Sequence, residues 1–157
     1  MKRGYTLLET VVYIGILAVI VVLALGAILS IYQAYGKARI ERQIATNGDV
    51  AMERIIREVR AATSTKASSV FGSHPGVLAL STDETFSLSG GLLRVQEGAL
   101  PAQNLTSSDV TISNLIFYAS TSPNSTIIRA EMTLDAGAGV FARSKKFYGS
   151  AVLRRAY

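Results

Sequence analysis

Lys2-Arg3-Gly4-Tyr5-Thr6-Leu7-Leu8-Glu9, followed by TVVYIGILAVIVVLALGAILSI at positions 10–31, decides how the rest of the chain is read. Positions 11–31 are twenty-one residues without a charge, rich in Val, Ile, Leu and Ala. As a helix rising about 1.5 Å per residue, this run reaches roughly 30 Å, the thickness of a bilayer's hydrocarbon core. Lys2 and Arg3 stand just before it. Cations in that place keep the short N-terminal end in the cytoplasm and send the rest of the chain outward. Glu9 interrupts the apolar pattern near the start of the run. An ionisable group in a membrane helix is unfavourable unless something pairs with it, which makes Glu9 a functional-site candidate. A cleaved secretory signal has a shorter apolar core ending in small residues, and Ala24-Leu25-Gly26-Ala27 is a poor match to such an end. An ordinary single-pass anchor accounts for the length and the flank but has no use for Glu9.

The order of residues 2–9 resembles the N-terminal signature of the type IV pilin family and of its relatives, the type II secretion pseudopilins. That signature is a short basic leader, a glycine, an aromatic residue, and a glutamate five residues after the glycine. Tyr5 stands where the family usually has Phe. The resemblance implies a leader of residues 1–4, cut after Gly4 by a prepilin peptidase that also methylates the new N-terminus at Tyr5. It further implies membrane lipid, other pilin or pseudopilin subunits and an inner-membrane assembly platform as partners, and a filament as the end state. Cleavage before Tyr5 creates a cationic amine four residues from Glu9. In a helical filament that amine can lie beside the Glu9 carboxylate of a neighbouring subunit. Charges paired at low dielectric attract strongly, so the pair sets axial register. The plainer alternative has Glu9 snorkelling to the headgroups as a solvated edge residue.

Beyond the membrane run the helical period continues. Ile40, Ile44, Ala51, Met52, Ile55, Val59 and Ala62 recur at steps of three and four, one apolar stripe on an amphipathic helix. The opposite face carries charge, with Glu53–Arg57 and Arg54–Glu58 at i,i+4. Gly36 and Asn47-Gly48-Asp49 mark places where the helix is expected to bend, and Asp49 is placed to cap a restarted second half. Residues 5–62 thus read as one long helix, 5–31 in the membrane or filament core and 32–62 packing on an outer domain. Arg54, Arg57 and Arg60 can be read as a site for an anionic polymer, or as the ordinary charged outer face of a half-buried helix.

Residues 63–76 form a polar connector that holds the single histidine, His74, read as an exposed loop residue. From Val77 the pattern turns to short strands. Residues 77–80 and 85–88 are followed by Gly90-Gly91 and 92–95, a hairpin with a glycine turn. Residues 98–104 read as a loop. Strands follow at 110–112 with 115–118, at 126–134 and at 140–153, with loops at 120–125 and 135–139. The fold class is α+β: the outer half of a long helix covers an antiparallel sheet built from residues 63–157. This layout is pilin-like under the resemblance. The helix end Met52-Glu53-Arg54-Ile55-Ile56-Arg57-Glu58-Val59-Arg60 and the strand order to Leu153-Arg154-Arg155 are similar to minor pilins and J-type pseudopilins. That branch implies a low-copy subunit at a fibre tip or in an initiation complex.

Of 157 residues, roughly 125 lie beyond the membrane helix, enough for one modest domain. The chain has no cysteine, so no disulfide staples the exported part. Loss of Lys2 and Arg3 lowers the net charge of +5 by two, to +3, so the basic balance carries little weight for any partner. There is no thiol nucleophile and no phosphate-cradling glycine motif, and a lone histidine makes neither a metal site nor a triad. Asp83-Glu84 lacks the partners of a calcium loop and reads as a solvated turn. No enzyme, catalytic residue, metal or cofactor is expected. Arg143, Lys145, Lys146, Arg154 and Arg155, with Phe147, Tyr148 and Tyr157 among them, suit a DNA backbone with aromatic stacking, as in a DNA-uptake pilus. They equally suit a terminal strand whose solvated cations blunt a sheet edge. The main expectation is a structural subunit, most like a minor one, of a type IV pilus or type II secretion pseudopilus. The alternative is a single-pass anchor displaying a β-rich binding domain.

Overall fold

The computed structural model describes residues 6–123 and 125–154. Met1–Ala38 and Arg39–Tyr157 form separate compact units. The leader at 1–4, Tyr5 and Arg155 fall outside the described residues. One helix, α1, spans Leu7–Ala61. Thr6 starts it: its Oγ1 accepts the Glu9 backbone N–H at 3.3 Å, and Glu9 three residues on completes the spacing of a capping box. α1 continues through Gly36 and residues 47–49, so the expected restart does not occur and Asp49 caps nothing. The reason lies in what those residues touch. Asn47 donates its Nδ2 hydrogen to the Gln43 carbonyl at 2.9 Å and accepts the Ser107 N–H on Oδ1 at 2.8 Å, tying the helix to the loop before Val110. Gly48 serves packing, as described below.

The strands are β1 (Leu78–Ala79), β2 (Glu84–Ser89), β3 (Leu92–Glu97), β4 (Gln103–Asn104), β5 (Thr111–Ser122), β6 (Ser125–Ala136) and β7 (Arg143–Val152). They form two antiparallel sheets, β1-β2-β3-β4 and β5-β6-β7, where the sequence suggested one. Gly90 (φ +60°) and Gly91 (φ +75°) make the β2–β3 turn, both in the left-handed region that glycine enters without penalty. The two short segments expected at 110–118 are a single strand with a bulge between Ile112 and Asn114. β4 pairs with β3 inside what read as a loop, and the loop expected at 120–125 shrinks to the tip between β5 and β6. β6 alternates over most of its length, with Ile128, Ala130, Met132 and Leu134 buried, until Thr133 is buried between the last two.

The apolar stripe Ile44, Ala51, Met52, Ile55, Val59 and Ala62 packs into a core shared with Phe86, Leu93, Leu115, Phe117, Met132 and Phe147. Two glycines set how closely α1 meets β7. A Cβ on Gly48 would lie 2.2 Å from the Phe147 ring, and one on Gly149 would lie 2.5 Å from Met52 Sδ. Each glycine receives a side chain of the other element.

Candidate functional site

Within the first unit, α1 presents apolar side chains that the chain itself does not cover. Exposure of its large hydrophobic residues between Leu7 and Tyr35 runs from 47% at Val21 to 82% at Leu7. Its most apolar window reaches a hydropathy of 3.0 with none of it buried, long and apolar enough to cross a membrane. Glu9 sits half-exposed at the start of this surface, and the Tyr13 hydroxyl donates to its Oε1 at a long 3.4 Å. Among the described residues this weak contact is the one side-chain partner of the carboxylate, and it leaves most of its bonding capacity unused. Thr6-Leu7-Leu8-Glu9 spells the capping spacing, a local signal for the start of α1.

In the second unit, Arg54 corrects two expectations. It leaves the outer face and turns to the sheet, where Nη2 donates to Glu84 Oε1 at 3.0 Å and to Glu97 Oε1 at 2.7 Å. Its Nε lies 3.1 Å from Glu58 Oε1 but off hydrogen-bond alignment, and is buried without a bonded partner, as is Glu84 Oε2. Arg57 bonds its neighbour Glu58 at 3.2 Å. Glu84 is therefore no solvated turn residue. Burial, then the facing Glu58, pushes its carboxyl up to about 7 against the opposing pull of Arg54. Asp83 beside it, at φ +66°, stays in solvent, where the Lys66 ammonium holds its carboxyl below the usual carboxylate range. With Glu84 raised, the folded state binds more protons than the unfolded chain between about 4.5 and 7, so this group's contribution to stability falls as pH rises through that window. Glu84→Gln is expected to flatten that dependence and to raise stability by about 1 kcal/mol at pH 8, read from melts across pH. An unchanged pH profile would refute the assignment.

The basic tail is divided between faces. β7 is an edge strand, and its alternation puts Phe147, Gly149 and Ala151 toward the core with Arg143 and Lys145 in the same parity, while Lys146 and Tyr148 face away. Arg143 reaches Glu41 Oε1 at 3.4 Å, and Lys145 Nζ lies 5.0 Å over the Phe147 ring. The Arg154 backbone N–H donates to the Ala62 carbonyl at 2.8 Å. These cations do not gather into one stripe. On the outward sheet face, Arg129 Cζ lies 5.7 Å from the ring centres of both Tyr118 and Tyr148, among exposed Ile127 and Val152. Arg129 falls on the wet parity of β6 and pairs in register with Tyr118, a grouping that residue order alone does not bring together. His74 is more than a bare loop residue: its Nδ1 accepts the Leu115 N–H at 3.0 Å and pins the connector to β5. Among the described residues no three His, Cys, Asp or Glu side chains are grouped to hold a metal.

Comparison of the chain with protein-family models, with curated proteins and with solved structures gives no match.

Proposed function

We propose that the chain is a structural subunit of the type IV pilus or type II secretion pseudopilus kind, most like a minor one. The observation that carries this reading is the uncovered apolar surface of α1 beginning beside a single acid, Glu9, in register with Gly4 and Tyr5. Such a surface needs a bilayer or neighbouring helices to cover it, and a filament core supplies the second after the first. The prepilin peptidase cuts after Gly4 and methylates Tyr5. The new amine of one subunit then finds the underused Glu9 carboxylate of another, while the head, the unit of residues 39–157, stays outside the cytoplasmic membrane.

Intact-mass and N-terminal peptide analysis of protein from its native membrane tests this. The expected product lacks Met1 to Gly4 and carries one added methyl on Tyr5. Glu9→Ala is expected to leave cleavage intact and to cut incorporation into filaments at least tenfold. An uncut N-terminus in cells with active prepilin peptidase would defeat the reading. The chain would then be a membrane-tethered binding domain, a role for which the Tyr118–Arg129–Tyr148 platform is the best-formed surface, with DNA as one ligand to try.

A further inference from the structure

We infer that one end of the head, formed by the β6–β7 connection and the adjoining turn of α1, docks on an anionic phospholipid surface. The inference rests on the membrane reading above and adds a second, reversible contact to the helix itself. Residues 137–142, GAGVFA, carry no charge. They fold into a tight connection whose 3-10 turn, Gly139–Phe141, holds Val140 outward at 68% exposure. Gly137, at φ +80°, fixes that shape, since a Cβ there would lie 2.6 Å from the Phe141 carbonyl oxygen. An apolar tip is thus built and held out in solvent.

Cations flank the tip. Arg143 follows it directly, and Arg143, Lys145 and Arg42 line a groove of about 530 Å³ whose wall includes Ile44. Glu41 is the one acid among the lining residues, and Arg143 already engages it. The groove therefore keeps a surplus of positive charge. Covalent linkage places this surface close to a membrane. Ten residues lie between Ile31 and Arg42, so the chain holds the two within about 40 Å of each other even if fully extended. Lys37 and Arg39 lie within that stretch.

An apolar tip beside a cationic groove, leashed near a bilayer, matches the chemistry of an anionic headgroup layer. The tip enters the boundary between headgroups and acyl chains, and the cations meet lipid phosphates. Duplex DNA offers the phosphates but nothing to receive Val140. Docking of this kind keeps the head on the membrane until the subunit is withdrawn from it.

The absence of native cysteine allows a clean test on the full chain. Val140→Cys, labelled with an environment-sensitive nitrobenzoxadiazole dye, is reconstituted into vesicles of phosphatidylcholine alone or with phosphatidylglycerol. A blue shift and a severalfold rise in emission are expected only with phosphatidylglycerol. Arg143→Glu with Lys145→Glu, or high salt, should abolish both, and a dye at Ala99→Cys should report water in every case. On the unlabelled wild type, amide exchange over residues 137–145 should slow severalfold with phosphatidylglycerol. A dye at position 140 that stays aqueous, with exchange unchanged, overturns the proposal. Equal shifts in both lipids overturn its anionic part, and protection by duplex DNA but not by phosphatidylglycerol assigns the surface to nucleic acid instead. Carbonate extraction of the same vesicles reports insertion separately: a chain that is extracted overturns the membrane reading as well, whereas a retained chain with an aqueous tip overturns docking alone.

Discussion

Gly48→Val is expected to lower the stability of the head by about 3 kcal/mol and its Tm by on the order of 10 °C. The site has no room for a side chain, because a Cβ would lie 2.2, 2.4 and 2.5 Å from three atoms of the Phe147 ring. That ring is buried and its own strand is fixed by ten register pairs with β6, so it has nowhere to retreat. The sign is informative. In an exposed helix, valine in place of glycine gains a few tenths of a kcal/mol from propensity, so a Gly48 that served only as a bend would become more stable. Loss of the β-sheet signal on heating the full chain in detergent measures the difference, and an unchanged or higher Tm would refute close packing here. Adding Phe147→Ala should recover at least about 1 kcal/mol relative to the sum of the single losses, as expected for residues in contact. Gly149→Ala should be milder, since it meets the ends of the flexible Met52 and Ile56 side chains.

Gly48 also shows where sequence reading stops. The period of Ile44, Ala51, Met52, Ile55 and Val59 was enough to place the buried stripe of α1, and Gly90-Gly91 was enough to place the β2–β3 hairpin, because both are local signals. Whether Gly48 bends a helix or admits a ring depends on Phe147, which reaches it only through β6–β7 pairing. Long-range pairing likewise decides that the strands divide into two sheets and that two residues, Gln103 and Asn104, leave their loop to join β3. Glu84 looked solvated because Asp83 and a turn precede it; only the tertiary approach of Arg54 and Glu58 shows that it is enclosed. The long apolar helix was legible from its length and composition alone, and the fold contains one helix long and apolar enough to cross a membrane. The division of the basic tail was legible in part: period two already puts Arg143 and Lys145 on one side and Lys146 on the other, but only the fold shows which side meets the helix.

Arg54→Met is expected to cost about 2 to 3 kcal/mol at pH 8, and clearly less at pH 5. Methionine keeps the apolar stem but removes the guanidinium that Glu84 and Glu97 share at 3.0 and 2.7 Å and that lies 3.1 Å from Glu58. Three carboxylates are then left facing one another at the seam between α1 and the β2–β3 hairpin. Removing one member of a fully buried ion pair costs about 3 to 5 kcal/mol. The lower figure applies here because half of Glu97 remains in water, where solvent screens its charge. The dependence on pH follows from Glu84. Its carboxyl stands at about 7 with Arg54 present, and Arg54 is the one cause drawing it down, so the substitution raises it further. A folded state that binds protons more readily than the unfolded chain gains stability on acidification, from the folded value down toward the ordinary value near 4.5. Lowering the pH from 8 to 5 therefore neutralises the most enclosed carboxylate and relieves most of the repulsion. Denaturant melts of the full chain at the two pH values measure this. Equal losses at both would mean that Glu84 does not take up the proton. Combining Arg54→Met with Glu84→Gln separates charge from packing: if repulsion is the cause, the pair loses less than Arg54→Met alone at pH 8 and no longer responds to pH.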